Sequence, residues 1–194
     1  MDDTLRAQLA FIERLDELKS VVRRNVLADG SRRENSAEHS WHVAMMAWVC
    51  ADQADQPIDV NRAVRMLLLH DVVEIEAGDT YIYDVEGRRD QEARERAAAE
   101  QLFGLLPEPQ AEECLALWNE YEARETPEAR YAKAIDSLLP LLQTTANGGA
   151  FWREHGIRRN QVLDAKRCIA DSSSSMWALA QSLIDEFHRR GILR

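Results

Sequence analysis

Apolar residues recur at spacings of three and four along most of this sequence, in segments rich in Ala, Leu, Glu, Gln and Arg. This spacing places apolar side chains on one face of an α-helix, and the strict alternation of a half-buried strand is scarce. The first such segment carries Leu5, Leu9, Ile12, Leu15 and Leu18. The pattern predicts an all-α fold, a bundle of about seven to nine helices that begins with a helix over 4–18.

Turn and capping residues divide the chain into further elements. The polar stretch 25–36, which contains Asp29-Gly30-Ser31, predicts a loop, and Ser36 is a suitable N-cap for a helix that runs to about residue 54. Asp59 can cap a third helix that runs to about residue 75. The polar residues between the apolar segments therefore mark both the ends of helices and one longer connection.

The most apolar predicted helix begins near residue 126. Thr126 is a suitable cap, Pro127 suits the first helical position, and Pro140 should produce a kink, because its ring removes a donor and crowds the preceding turn. The helix carries a continuous inward stripe, which predicts that it lies in the core. Other helices are predicted over 91–103, 108–124, 161–170 and 175–190, with a short one near Trp152.

Composition and charge narrow the class of protein. The 194 residues carry 24 Lys+Arg against 34 Asp+Glu, a net charge of −10, which disfavours binding to duplex nucleic acid. No apolar run approaches the roughly 20 residues that cross a bilayer, and the sequence does not open with a secretory signal. Three widely spaced cysteines without a CxxC motif indicate reduced thiols. We expect one cytoplasmic domain that contacts neither a membrane nor a nucleic acid duplex.

Four residues on three predicted helices could bind a metal ion. His70-Asp71 ends an apolar run, and Asp136 lies within a leucine-rich stripe, so each needs a partner to offset the cost of burial. His39 lies near the start of another helix and would complete a set of two imidazoles and two carboxylates. This mixed set suits one divalent ion, namely Mn, Co, Fe, Ni, Zn or Mg, better than calcium.

Residues near this set suggest hydrolysis of a phosphate ester. A metal ion so held keeps room for water or phosphate oxygens, the arrangement of metal-assisted hydrolysis. Glu74 follows Asp71 by three residues on the same helical face and could orient or deprotonate the water. Lys133 precedes Asp136 by one turn, and Arg32 and Arg33 precede His39, so these cations could bind an anionic substrate.

In combination these residues resemble a known family. His39, His70-Asp71 and Asp136 reproduce the pattern of the HD-domain metal-dependent phosphohydrolases. The segments 34–40, 70–79, 117–122, 126–130 and 132–136 are similar to the branch that contains the 5′-deoxynucleotidases and HD-domain-containing protein 2. The similarity extends over most of the chain, from about Leu18 to Leu142.

The resemblance implies a fold, a reaction and roles for further residues. It implies a single HD domain over 1–194, with a metal-binding core over 18–146 on which C-terminal helices over 150–190 pack. The expected reaction is removal of phosphate from nucleoside 5′-monophosphates by a metal-bound water assisted by Glu74. By the same resemblance, Asp79 positions the substrate or protonates the leaving group, and the protein is a homodimer.

The sequence departs from the family at one position and leaves alternatives open. The branch carries an Arg-Trp pair upstream of the first histidine that contacts phosphate and sugar, whereas this chain offers Lys19-Ser20 or Arg23-Arg24 there. The same ligands also serve phosphodiesterases and (p)ppGpp pyrophosphohydrolases. A non-catalytic helical module with a structural metal is a third possibility, but it would not need Glu74. His42, one turn after His39, is a rival ligand, which we interpret as a residue that either supports the ligands from behind or lies on the surface.

Overall fold

Apart from one short hairpin, the secondary structure is helical in the part of the chain that the structure, a computed structural model, describes, which comprises residues 2–78 and 90–194. This confirms the all-α class. None of the helices in these two ranges is long and apolar enough to cross a membrane. The α-helices are α1 (Asp3–Leu15), α2 (Ser36–Val49), α3 (Val60–Leu69), α4 (Glu74–Ala77), α5 (Gln91–Phe103), α6 (Glu108–Ala123), α7 (Pro127–Ala146), α8 (Ala150–His155), α9 (Arg159–Ala165) and α10 (Ser174–Arg189). Short 3₁₀-helices cover Asp16–Ser20, Ala51–Gln53 and Arg167–Asp171.

The helix caps mostly follow the prediction, with one correction. Asp59 caps α3 and Thr126 caps α7, each through a side-chain oxygen that accepts backbone N–H groups. The cap of α2 is Asn35 and not Ser36, because Asn35 and Glu38 form a reciprocal capping box. The Ser36 hydroxyl instead donates a hydrogen bond to Glu74, so it belongs to the site described below.

The predicted loop over 25–36 is partly wrong, because its flanks form a hairpin. Strand β1 (Val22–Val26) pairs antiparallel with β2 (Arg33–Asn35). The predicted turn at Asp29-Gly30-Ser31 is confirmed, since Gly30 adopts a positive φ of 76° and Ser31 N donates to the Asp29 carboxylate. These strands are too short and polar to show an apolar alternation. The hairpin places the Arg23 side chain, which is 14% exposed, toward the interior.

The predicted third helix does not continue to residue 75, because α3 ends at Leu69. Four bonds of the tighter i→i−3 type follow, from Val72 N to Leu69 O, Glu74 N to Asp71 O, Ile75 N to Val72 O and Glu76 N to Val73 O. Adjacent side chains on a straight helix diverge by about 100°. The tighter turn accompanies an arrangement in which His70, Asp71 and Glu74 are all buried around one cavity.

Two apolar clusters meet at the site. The larger one is built on α7 and joins α2 and α3 to the C-terminal helices. The smaller one packs α1 and α5 around Phe103 and Trp118. The predicted inward stripe of α7 is confirmed, and Pro140 lies inside this helix, which continues to Ala146.

Candidate metal centre

Three of the four predicted ligands lie together at the junction of α2, α3 and α7. One ligand atom each from His39, His70 and Asp136 falls within 4.8 Å of the others. The shared point is Oδ1 of Asp136, which is 3.0 Å from His39 Nε2 and 3.7 Å from His70 Nε2. The His39 and His70 side chains are almost completely buried, and the Asp136 side chain is 12% exposed. Residues far apart in sequence therefore form one compact set of nitrogen and oxygen donors.

His39 is held in position from behind by a buried carboxylate. Its Nδ1 lies 3.1 Å from Oε2 of Glu34, and Gln143 donates a 2.7 Å hydrogen bond to the other oxygen of Glu34. Burial would raise the pKa of Glu34, but the contacts with His39 and Gln143 outweigh it and lower that pKa. Histidine ligands usually donate the ring N–H that faces away from the metal in this way. The Nε2 atom of His39 is thus aimed at Asp136.

His70 presents a nitrogen that requires a cation. Its Nδ1 donates to Leu67 O at 2.7 Å, so its Nε2 carries the lone pair. This buried Nε2 makes no hydrogen bond within residues 2–78 and 90–194, although Oδ1 of Asp71 lies only 3.1 Å away. A lone pair that faces carboxylate oxygens is repelled unless a positive ion lies between them. The donor set therefore fits a divalent metal ion.

The two carboxylate oxygens of Asp136 have different partners. While Oδ1 faces the histidines, Oδ2 accepts hydrogen bonds from Tyr121 at 2.9 Å and from Lys133 at 2.8 Å. Burial would raise the pKa of Asp136, but the Lys133 ammonium and the bond with His39 hold it well below its usual value. Burial and the nearby Asp136 raise the pKa of Tyr121 well above normal, so its hydroxyl remains a donor.

Asp71 completes the set from the side of the hairpin. Its Oδ1 lies beside His70, and its Oδ2 accepts a hydrogen bond from Arg23, whose Nε is also 3.7 Å from Glu34. Burial would raise the pKa of Asp71, but its interactions with the His70 ring and with the Arg23 guanidinium outweigh this effect, so that pKa is lowered. A guanidinium of β1 thus orients both a predicted ligand and the carboxylate behind His39.

Glu74 lies in the same cavity as the ligands. Ser36 donates a 2.6 Å hydrogen bond to Glu74 Oε2, which fixes the carboxylate against α2. The side chain is buried and lines the cavity together with His70 and Asp71, as its helical spacing predicts. Asp79, the other predicted catalytic residue, lies outside the described residues.

The predicted cations separate into two groups. Lys133 lies at the centre, bonded to Asp136 and to Tyr121. Arg32 and Arg33 are exposed and do not line the cavity as far as the structure describes it; Arg32 instead forms a two-pronged pair with Glu38. Its position near the end of the hairpin directs it toward the first turn of α2. Sequence spacing alone cannot distinguish this direction from the cavity.

Four residues of the site were missed from the sequence: Glu34, Tyr121, Gln143 and Lys166. Glu34 and Tyr121 stand within the segments similar to the family, so that similarity was the available signal. Of the alternatives left open upstream of His39, Arg23 and Arg24 line the cavity, whereas Lys19 pairs with Asp16 on the surface. His42 is exposed, as predicted.

The cavity above this set has a volume of about 700 Å³. Its walls are polar and combine the cations Arg23, Arg24, Arg124, Lys133 and Lys166 with the carboxylates Glu95 and Glu122. Burial and the nearby Glu122 raise the pKa of Glu95. This volume accommodates a small organic phosphate but not a duplex. Arginine and lysine supply the donors that recognise phosphate oxygens.

Comparison with known proteins agrees with this geometry. A family model described as HD domain matches residues 15–177. The 5′-deoxynucleotidase HDDC2 of Homo sapiens is 33% identical over 141 residues, which is 72% of this chain and 68% of that protein. The 5′-deoxynucleotidase hdd1 of Schizosaccharomyces pombe is 29% identical, over 69% of this chain and 68% of that protein.

Solved structures show the same likeness over more of the chain. One of them is a protein from Magnetospirillum magnetotacticum that is described as a predicted metal-dependent phosphohydrolase. It is 50% identical with a TM-score of 0.93, and the similarity covers 98% of this chain and 96% of that protein. A conserved hypothetical protein from Pyrococcus furiosus is 21% identical with a TM-score of 0.65, over 93% of this chain and 99% of its own, which shows the fold alone.

Proposed function

The chain belongs to the HD-domain family, and on that premise we propose that it removes phosphate from nucleoside 5′-monophosphates with the help of one divalent metal ion. The observation that carries the proposal is the buried Nε2 of His70, which faces the carboxylates of Asp71 and Asp136 and makes no hydrogen bond in the described part of the chain. The choice of nucleotides is supported by relatives named 5′-deoxynucleotidases.

Each residue of the site has a task in such a reaction. His39, His70, Asp71 and Asp136 would hold a divalent ion, which would lower the pKa of a bound water and offset negative charge on phosphorus. The carboxylate of Glu74, fixed by Ser36, accepts a proton from the attacking water. We retain for Asp79 the role implied by the family, which is to position the substrate or protonate the leaving oxygen.

The phosphate group is recognised by cations that are already oriented. Lys133 is held by Asp136 and Tyr121, and its ammonium has three N–H donors, so one remains for a substrate oxygen. Arg24 and Lys166 line the same cavity. These residues support binding of phosphate better than Arg32 and Arg33, which face away from the cavity in the described structure.

The proposal is tested by measuring phosphate release from ribo- and deoxyribonucleoside 5′-monophosphates. The protein as purified is compared with protein treated with a chelator and then supplied with Mn, Co, Fe, Ni, Zn or Mg. We expect release that is lost with the chelator and regained with at least one ion. Elemental analysis in parallel identifies the metal bound on purification.

The same panel separates the rival functions. Hydrolysis of a cyclic dinucleotide or of ppGpp, with no release from monophosphates, would indicate a phosphodiesterase or pyrophosphohydrolase. Bound metal without hydrolysis of any ester would indicate a structural metal in a binding module. The buried Glu74 in the cavity favours the enzyme, because a structural metal needs no carboxylate beside its ligands.

We also propose that the protein is a cytoplasmic homodimer. The exposed face of α2 carries Trp41, Met45, Trp48 and Val49, and Trp48 is 65% exposed. An apolar stripe of this kind suits burial against a second copy. The three cysteines are free, as expected in a reducing compartment. Light scattering should give a dimer mass for the wild type and a monomer mass for Trp48→Lys, whereas a wild-type monomer would refute the assignment.

A further inference from the structure

A second cavity adjoins the cavity that is lined by His70, Asp71 and Asp136, which we call the metal-side cavity. The walls of the second cavity are less polar. It has a volume of about 280 Å³, and its walls are mainly apolar, with Leu141, Phe151, Trp152 and Val162 among them. Trp152 is fixed by an edge-on contact with Phe187, and the ring of Phe151 is stacked on His155. This space is slightly below the roughly 300–1,000 Å³ of pockets for drug-sized ligands, so it suits one ring system better than a whole nucleotide.

Three elements run from one cavity into the other. On α7, Asp136 lies in the metal-side cavity, Pro140 lines both cavities and Thr144 lines the apolar one. These residues are successive turns of one helix, so about 12 Å of helix axis separates the first from the last. One helix therefore reaches from a predicted metal ligand to the wall of the apolar cavity.

The opposite walls show the same order of residues. On β1, Arg23 lines the metal-side cavity, Arg24 and Asn25 line both, and Val26 lines the apolar one. After α9, Lys166 again lines both. The two cavities are therefore adjacent along all three elements, and the border that they share includes cationic and amide side chains.

From this continuity we infer that the apolar cavity receives the nucleobase of the substrate, while the sugar and phosphate cross the border beside Lys166. The inference rests on the proposed function, because it places the phosphate at the metal end. Aromatic and aliphatic walls suit the faces of a base, and the side chains of Asn25 and Asn147 offer amide groups to its polar edge.

Lys166 differs from the other cations near the ligands. Lys133 is bonded to Asp136 and Arg23 to Asp71, whereas Lys166 has no ion pair with any residue in the described ranges. Burial lowers the pKa of Lys166 to about 8. A half-buried ammonium that lacks a carboxylate partner among the described residues is suited to meet an anionic ligand that passes beside it.

The inference is tested by filling the apolar cavity without touching the metal side. Ala150 and Thr144 line only the apolar cavity, so Ala150→Trp and Thr144→Phe should reduce its volume. We expect each variant to weaken binding of 2′-deoxyadenosine, measured by titration calorimetry, at least about tenfold. The ratio of KM for dAMP to KM for base-free 2-deoxyribose 5-phosphate should rise by a similar factor. Ala97→Trp, on the exposed face of α5, is the matched control and should change neither value.

The outcomes distinguish this inference from the proposed function. If dAMP and the base-free phosphate are hydrolysed equally well, and the filled variants behave like Ala97→Trp, the nucleobase site is refuted while the phosphohydrolase stands. If no ester is hydrolysed but deoxyadenosine binds and the filled variants lose that binding, the proposed reaction fails and the nucleoside site stands. Preference for a simple alkyl phosphate over every nucleotide would overturn the inference.

Discussion

The two adjoining cavities differ in the interactions that hold their wall side chains in place. At the metal end, polar side chains are held in position by other side chains, as His39 is by Glu34 and Asp136 is by Tyr121. In the apolar cavity, packing of side chains such as Trp152 and Val162 defines the space. The comparison shows that fixed polar geometry is concentrated where charge must be stabilised, since donors oriented before the reaction need no reorganisation during it.

The same contrast predicts how strongly a substitution in each cavity should change activity. A buried network with shared partners fails as a unit, because removal of one member leaves others unpaired in a region of low dielectric. A cavity formed by packing loses affinity in proportion to the contacts removed. Substitutions at the metal end should therefore affect activity by orders of magnitude, and substitutions at the apolar end by smaller, graded amounts.

The largest effect is expected from Asp136→Asn. This change removes the negative charge shared by both histidines, so metal content should fall below one equivalent and kcat/KM should fall at least about 1,000-fold. That loss exceeds the 10–100-fold typical of a residue that only orients a ligand. Elemental analysis and phosphate release measure the two effects, and circular dichroism checks the fold. Asp52→Asn, at an exposed position, is the control, and full activity of Asp136→Asn with metal removed would contradict the assignment.

Glu74→Gln should separate catalysis from binding of the metal. The amide retains the size of the side chain but cannot accept a proton, so we expect kcat to fall about 10²–10⁴-fold, while metal content and KM change little. Kinetics at saturating metal measure this effect. A decrease in metal content that matches the decrease in kcat would show instead that Glu74 supports the ligands.

A smaller effect is expected from Glu34→Gln, which acts only through His39. The neutral side chain holds the Nδ1–H of His39 less strongly, so metal affinity should fall about 10–100-fold and excess metal should restore kcat. Titration of the chelator-treated protein with Mn or Co gives the affinity. A loss of kcat that excess metal does not restore would show that Glu34 has a role beyond orienting His39.

The comparison also explains how much could be predicted from sequence. The ligands were predictable because a charged residue in an apolar stripe, such as Asp136, signals its need for a partner. The helix caps at Asp59 and Thr126 follow from local rules and are confirmed. The hairpin, the break after Leu69 and the direction of Arg32 depend on tertiary contacts that leave no local pattern.

The apolar cavity was invisible to sequence reasoning for a related reason. Phe151, Trp152 and Val162 have the spacing of ordinary core residues, and nothing in their order distinguishes the wall of a cavity from a packed interior. Lys166 shows the same limit, because a lysine near a helix end is usually solvated. Only the fold shows that it borders both cavities.

The smallest expected effect is a change in the free energy of unfolding when Lys166, which lines both cavities, is replaced. The pKa of Lys166 is about 8 in the folded chain, against 10.5 for an ordinary lysine, so burial penalises its charged form. Between these two values the unfolded chain binds more protons than the folded one, and the free energy of unfolding of the wild type should rise with pH. Lys166→Met lacks this rise.

Lys166→Met should therefore be more stable than the wild type at pH 7, by about 1 kcal/mol after allowance for partial solvent exposure, and the difference should shrink from pH 8 to 10. Urea unfolding at each pH measures it, and ionisable groups common to both proteins cancel in the difference. If the variant is also weaker in nucleotide binding, the lysine charge is maintained for the substrate at the expense of stability. Equal stability of the two proteins at every pH would show that the ammonium is fully solvated, which would remove it from the border between the cavities.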